Sequence, residues 1–195
     1  MTNEMILPQL VMRRAHLRDL PAIKLPEGYS LRCFQPGDEA AWEKIIGETF
    51  SATSYVFDKV MKAAPAFYPE RVFFITHADA PVATASAWLE NRFGPIIGYL
   101  HMVGVRPGHQ GKQLGFCVSV AALHRFLEEG RAEAVLQTDD FREAALKTYL
   151  RMGFEPLLVN ANQRSRWRNI FAKLSRSDLA DKFAPILDGP VTKVE

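Results

Sequence analysis

The run Val103-Gly104-Val105-Arg106-Pro107-Gly108-His109-Gln110-Gly111-Lys112-Gln113-Leu114-Gly115 carries an apolar strand into a proline, through glycines and a lysine, and into the start of a long helix. The first N–H groups of a helix lack intrahelical partners, and the aligned peptide dipoles add partial positive charge at that end, so it attracts anions. Glycines at 108, 111 and 115 permit positive φ and close backbone approach, and Lys112 adds a formal charge. The run reads as a phosphate cradle; an ordinary strand-to-helix turn is the alternative that the same residues allow. A Walker A loop does not fit, because Gly108 and Gly111 are too close together and Gln113, not Ser or Thr, follows Lys112. A dinucleotide fingerprint fails as well, since Gly104-Val105-Arg106 departs from Gly-x-Gly-x-x-Gly.

The rest of the chain bounds the answer. A length of 195 residues predicts one domain with a real core. Hydrophobic residues make up 48% and charged residues 24%, the balance of a soluble globular protein, and no apolar run is long enough to span a membrane. Met1 to Met12 lacks a basic start followed by an apolar core, so no secretory signal is expected and the setting is cytoplasmic. The net charge of +2 is small and spread, which argues against a nucleic-acid partner. Cys33 and Cys117 stand far apart, so neither a disulfide framework nor a zinc site is expected. Cys117 falls on an apolar helix face, as a small buried hydrophobe would.

Residues 1–28, broken by Pro8, Pro21, Pro26 and Gly28, read as an extended arm. Tyr29 to Gln35 reads as a first strand, and Pro36-Gly37-Asp38 as a turn with an N-cap. A helix follows with Ala41, Trp42, Ile45, Ile46 and Phe50 on one stripe. Residues 51–70 form a short amphipathic piece and a candidate mobile rim. Arg71–His77 and Val82–Leu89 are strands of a hairpin around Ala78-Asp79-Ala80-Pro81, and Ile97–Val105 is the strand leading into the loop. A helix over about Lys112–Glu129 ends at Gly130. Ala134–Thr138 is a strand, Asp139-Asp140 caps a helix that Gly153 stops, and Phe154–Val159 is another strand. Trp167, Ile170, Phe171 and Leu174 mark a last helix. Arg164, Arg166 and Arg168 read there as a solvated face rather than a nucleic-acid patch. Residues 176–195 read as a tail.

Two motifs carry a family resemblance. Val105-x-Pro107 followed by Gln110-Gly111-Lys112-Gln113-Leu114-Gly115 is similar to the acetyl-CoA loop of the GNAT superfamily of N-acetyltransferases. Ala145-Leu146-Lys147-Thr148-Tyr149-Leu150-Arg151-Met152-Gly153-Phe154 resembles that family's Ala-x-x-x-Tyr-x-x-x-Gly-Phe. The resemblance spans about residues 29–160. It implies a mixed α/β (α+β), mostly antiparallel twisted sheet, splayed between its fourth and fifth strands, with helices on both faces, in a domain over 29–175. Three departures stand out: Gln113 occupies a position where the family usually has glycine, Arg142 one where it often has asparagine, and a helix ends the chain where a last strand is expected. Arg142 is a candidate partner for a CoA phosphate.

What the resemblance implies chemically is direct transfer of an acetyl group from acetyl-CoA, with no metal, to a primary amine of a small molecule or peptide; homodimer formation is left open. The backbone of Val103, Gly104 and Val105 would pair with the pantetheine arm, and the amides of Gln110, Gly111, Lys112, Gln113, Leu114 and Gly115 would take the pyrophosphate. An N–H near Met102 or Val103 would polarise the thioester carbonyl. Tyr149 is the candidate acid for the leaving thiolate, with a core tyrosine as the alternative. His101 is the candidate base, on the same strand parity as Val103 and Val105, with a structural histidine as the alternative. Glu90, Asp139 and Asp140 are its rivals, and His77, His109 and His124 read as exposed or structural. Tyr55, Phe57, Phe67 and Tyr68 on the 51–70 rim favour a small or partly apolar amine. A CoA-binding module without transfer activity is the competing class.

Overall fold

A computed structural model describes residues 7–51 and 55–194. The chain forms two compact units: a larger one, Ala15–Ala134, and a smaller one that joins the N-terminal residues through Arg14 to the chain from Val135 onward. The first element, β1 (Leu10–Arg14), belongs to the smaller unit. In the larger unit β2 (Tyr29–Cys33) leads into α1 (Glu39–Phe50), and β3 (Val72–His77), β4 (Ala80–Trp88), β5 (Ile97–Val105) and α2 (Leu114–Glu128) follow.

β2, β3, β4 and β5 are successive antiparallel neighbours. β3 is almost wholly apolar, and its first five residues are buried, as a central strand covered on both faces requires. The hairpin turns at Ala78 and Asp79, both in the left-handed region (φ 47° and 63°), the geometry of a type I′ turn matched to strand twist. Side-chain direction alternates along a strand, so the glycines of β5 report what lies on each face. A Cβ at Gly104 would meet Thr49 and Ile45 of α1, and a Cβ at Gly98 would overlap the Phe126 ring of α2. The two helices therefore cover opposite faces of this sheet.

Two expectations about this unit change. Asp38 stands at the N-cap of α1, its carbonyl accepting the Trp42 N–H at 2.9 Å, but its carboxylate bonds no helix amide: it accepts the Gln35 N–H at 2.7 Å and takes both Arg32 nitrogens at 2.6 and 2.8 Å. A bidentate guanidinium outcompetes a single helix amide for the same oxygens. The 51–70 segment is not simply a rim, because Phe57 and Met61 are fully buried. Phe57 stacks on Phe34 at 5.0 Å and meets Trp42 and Phe67 edge-on. The apolar side of a short π-helical turn, Asp58–Lys62, thus closes over the end of α1.

β6 (Glu133–Thr138) enters the smaller unit at Val135, and α3 (Glu143–Arg151), β7 (Glu155–Leu157), α4 (Gln163–Lys173), α5 (Ser177–Lys182) and α6 (Ala184–Asp188) follow. The expected N-terminal arm contains a regular element: β1 is hydrogen-bonded between β6 and β7, antiparallel to β7, with Val11 opposite Leu157. Leu10, Val11 and Met12 are buried; burial on both sides explains why this short strand shows no alternation in sequence. Gln163, fully buried, fixes it further by donating to the Gln9 carbonyl while accepting the Val159 and Asn160 N–H groups.

Arg164 and Arg166 of α4 are clasps rather than a solvated face, whereas Arg168 stays exposed as expected. Arg166 pairs with Asp140 and donates to the Pro8 carbonyl, Arg164 donates to the carbonyls of Leu187 and Gly189, and Arg168 pairs with Asp188. Nor is the end of the chain featureless, since Phe183 stacks on Phe171 and the Thr192 N–H reaches the Leu158 carbonyl at 2.7 Å. No helix among the described residues is long and apolar enough to cross a membrane.

Candidate active site

The stretch from Val105 to Gly115 breaks its strand at Pro107, forms a 3-10 turn over Pro107–His109, and reaches α2 through two left-handed residues, Gly111 (φ 77°) and Gln113 (φ 60°). Gln113, at the position where glycine was expected, therefore adopts the backbone conformation that glycine favours, at a steric cost of roughly 1–2 kcal/mol for a side-chain-bearing residue. The first helical bond is from the Cys117 N–H to the Gln113 carbonyl at 3.0 Å, so the amides of Leu114 and Gly115 precede the ladder and have no intrahelical acceptor. Gly115 of α2 faces Val105 of β5, where a Cβ would lie at ordinary contact distance, 3.4 Å. Gly111, Lys112 and Gln113 are exposed, whereas Leu114 is buried and offers only its backbone. The residues present fit an anionic group held by main-chain N–H groups.

Side chains brace this loop in a way the sequence did not disclose. Arg106 pairs with Glu48 of α1 at 2.9 Å. The Tyr29 hydroxyl shares a 2.9 Å hydrogen bond with His109 Nδ1, and the His77 ring lies 4.6 Å from Tyr29 and 5.4 Å from His109. Burial, together with His77, Arg106 and Lys112, holds the His109 pKa below its ordinary value. Antiparallel pairing of β2 with β3 sets Tyr29 opposite His77.

The strand before the loop is interrupted. Thr84 pairs with Gly104 but Ser86 pairs with His101, so β5 carries one residue more than β4 there, and Met102 sits in the left-handed region at φ 48°. Such a bulge leaves a residue outside the regular ladder and re-aims its neighbours. It also reverses the expected parity. His101 shares a face with Ser86 and Gly104, the α1 face, whereas Val105 meets Gly115 on the α2 face. His101 does not point with Val105.

On that face the imidazole lies between Trp88 at 5.6 Å and Tyr99 at 5.3 Å, and Tyr99 stacks in turn on Phe93. Burial pushes the His101 pKa down to about 4 and that of Tyr99 up to about 12. At neutral pH His101 is an uncharged imidazole, able to accept a proton but with low affinity for it. Its rivals are occupied or displaced. Asp139 takes Arg142 Nε at 2.9 Å and Gln9 Nε2 at 3.2 Å, Asp140 is held by Arg166, and Glu90 precedes a 3-10 turn at Asn91–Phe93. The two aspartates do not cap α3, which starts at Glu143 with Arg142 as the capping residue.

Tyr149 lies on α3, 7% exposed, with its ring edge-on to Phe154 at 6.1 Å. The helix ends as Gly153 predicts, in a left-handed turn (φ 83°) where the Gly153 N–H bonds the Leu150 carbonyl and the Phe154 N–H bonds the Tyr149 carbonyl. This pair of bonds is a Schellman motif. Tyr149 and Phe154 are thereby fixed together.

A strand with a left-handed bulge feeds a glycine loop that opens a helix, an arrangement suited to holding an anionic group. The chain belongs to the acetyltransferase (GNAT) family, whose model matches residues 39–154, more than half its length. It is 32% identical over 164 residues to a mycothiol acetyltransferase of Thermobispora bispora, covering 78% of this chain and 55% of the relative. Against a mycothiol acetyltransferase of Streptomyces avermitilis it is 34% identical over 144 residues, covering 70% and 46%. The chain thus spans about half the length of the curated relatives it matches. Among solved structures, a GCN5-related N-acetyltransferase from Sphaerobacter thermophilus superposes with a TM-score of 0.64 at 23% identity, over 76% of this chain and 48% of that one. A GNAT-family acetyltransferase from Colwellia psychrerythraea gives 0.59 at 14% identity, over 76% and 52%. These two likenesses establish the fold.

Proposed function

We propose that this chain is an N-acetyltransferase that moves an acetyl group from acetyl-CoA directly to the primary amine of a small molecule, in the cytoplasm. The observation that carries this reading is the continuous path from the left-handed bulge at Met102 to the paired left-handed turns at Gly111 and Gln113 ahead of α2. In this reading the bulge offers main-chain N–H groups near Met102 and Val103 to a thioester oxygen, and the turn offers the amides of residues 111–115 to a diphosphate; the expected Gln110 amide is instead bonded to the Pro107 carbonyl at 3.3 Å. Relatives named mycothiol acetyltransferases favour a small-molecule acceptor over a polypeptide.

In the proposed reaction the amine nitrogen attacks the thioester carbonyl carbon, the carbon–sulfur bond breaks, and the thiolate takes a proton with help from Tyr149. A phenol near ~10 and a thiol near ~8.5 differ too little for strong driving, so the hydroxyl acts chiefly by hydrogen bonding the developing thiolate. His101, with a pKa of about 4, is too weak a base to strip a free alkylammonium near ~10.4. The amine therefore enters uncharged, and His101 accepts its proton after the carbon–nitrogen bond has formed, when that nitrogen is far more acidic.

The test is a panel of small amines assayed with acetyl-CoA, products identified by mass spectrometry, on the native chain and on Tyr149→Phe and His101→Gln. We expect kcat to fall about a hundredfold in each variant, the lower range for general acid–base groups, with CoA affinity by calorimetry unchanged within twofold. Tight CoA binding with no acetylated product from any amine would instead favour a non-catalytic CoA-binding module.

A further inference from the structure

We propose that Arg14, the last residue of β1, is a positioning residue for Tyr149. This rests on the reading of Tyr149 as the group that assists the thiolate. Arg14 is a charged side chain only 8% exposed, and its Nη1 donates to the carbonyl of Met152, the residue that ends α3. The guanidinium also fills the space over Gly153, where any Cβ would overlap Nη1. Gly153 is glycine for its left-handed φ of 83°, and the absence of a side chain there leaves room for the arginine tip.

The consequence for Tyr149 follows from the helix ending. Its carbonyl receives the Phe154 N–H at 3.0 Å, and the neighbouring Leu150 carbonyl receives the Gly153 N–H at 3.0 Å. Both bonds require the Met152–Gly153 turn to stay closed, and Arg14 holds the Met152 carbonyl inside that turn. A cation at a helix C-terminus is stabilised by the dipole as well. The register is set by β1 and β7, with Arg13 opposite Glu155, so the strand delivers the next residue, Arg14, to the turn. Phe154 then leaves the turn with its ring against the Tyr149 ring. A strand remote in sequence fixes the rotamer space of the proposed acid without touching substrate.

The experiment is a double-mutant cycle of Arg14→Ala and Tyr149→Phe, read as kcat and the KM for acetyl-CoA, with hydrogen exchange at the Phe154 amide reporting the turn. We expect Arg14→Ala to lower kcat about tenfold in the native background, leave the KM within twofold, and accelerate exchange at Phe154. In the Tyr149→Phe background the same substitution should change kcat less than twofold, because the positioned group is gone. Arg14→Lys, which keeps the charge and a donor but not the planar fork, should recover part of the loss and supplies the same comparison if Arg14→Ala does not fold. An equal fall in both backgrounds, or native kcat in Arg14→Ala, overturns the proposal. Native kcat in Tyr149→Phe alone would instead overturn the role of Tyr149.

Discussion

His101 shows how one side chain is tuned by what surrounds it. Between Trp88 and Tyr99 its pKa falls from 6.5 to about 4, so the unfolded chain binds a proton there more tightly than the folded one. The sign follows by linkage. The contribution to stability is complete above pH 6.5, declines as pH falls through the window from 6.5 to 4, and is lost below it. At ~1.36 kcal/mol per pH unit the loss reaches about 3 kcal/mol at most. Urea titrations at pH 7 and pH 4.5 should show a steeper decline for the native chain than for His101→Gln; equal slopes would mean that the imidazole is not desolvated. The residue was legible in the sequence as a candidate, but its orientation was not. Parity counting presumes an unbroken ladder, and Met102 interrupts it. Gln113 is the opposite case, because the family pattern called for glycine and the backbone is left-handed there despite the side chain.

At the scale of elements, periodicity located the strands β2 to β5 and the helices α1 and α2 close to their observed bounds. Each is long enough to show its buried face in the pattern of apolar residues, as Trp42, Ile45 and Ile46 do on α1. β1 escaped because its apolar residues, fully enclosed, do not alternate, and the prolines around it suggested irregular chain. The N-cap of α1 was read at the right residue, Asp38, and that of α3 at the wrong ones, and in both places the carboxylates of Asp38, Asp139 and Asp140 serve arginines instead of helix amides. Contacts between α1 and β5 lead to a prediction. A Cβ at Gly104 would stand 2.8 Å from Thr49 Oγ1 and 3.0 Å from Ile45 Cγ2, so Gly104→Ala should destabilise the larger unit by about 1–3 kcal/mol, the usual range for overpacking. Its thermal midpoint should drop accordingly, and an unchanged midpoint would show that α1 can move away. Gly104 is therefore a packing residue, whatever its carbonyl and N–H contribute to ligand binding.

Over the whole molecule, the family model ends at residue 154, yet the smaller unit needs elements on either side of that boundary. β1 supplies the strand between β6 and β7, Gln163 of α4 bonds the Gln9 carbonyl beside it, and Trp167, Phe171 and Phe183 pack together beyond residue 154. A buried charge in β1 should therefore act on a distant part of the chain. Val11, 1% exposed, becomes an unpaired carboxylate in Val11→Asp, a change worth more than about 3 kcal/mol when no partner compensates. Limited proteolysis should then cut first beyond Val135, while the larger unit keeps its resistance; early cuts within residues 72–105 would contradict a separate dependence of the smaller unit on β1. The pairing of Val11 with Leu157 bears finally on biosynthesis. β1 leaves the ribosome before β7 exists, so Leu10, Val11 and Met12 remain an unsatisfied apolar edge until β7 has emerged. The smaller unit, with the most sequence-distant contacts, closes last. Until then those residues are open to chaperones and to aggregation.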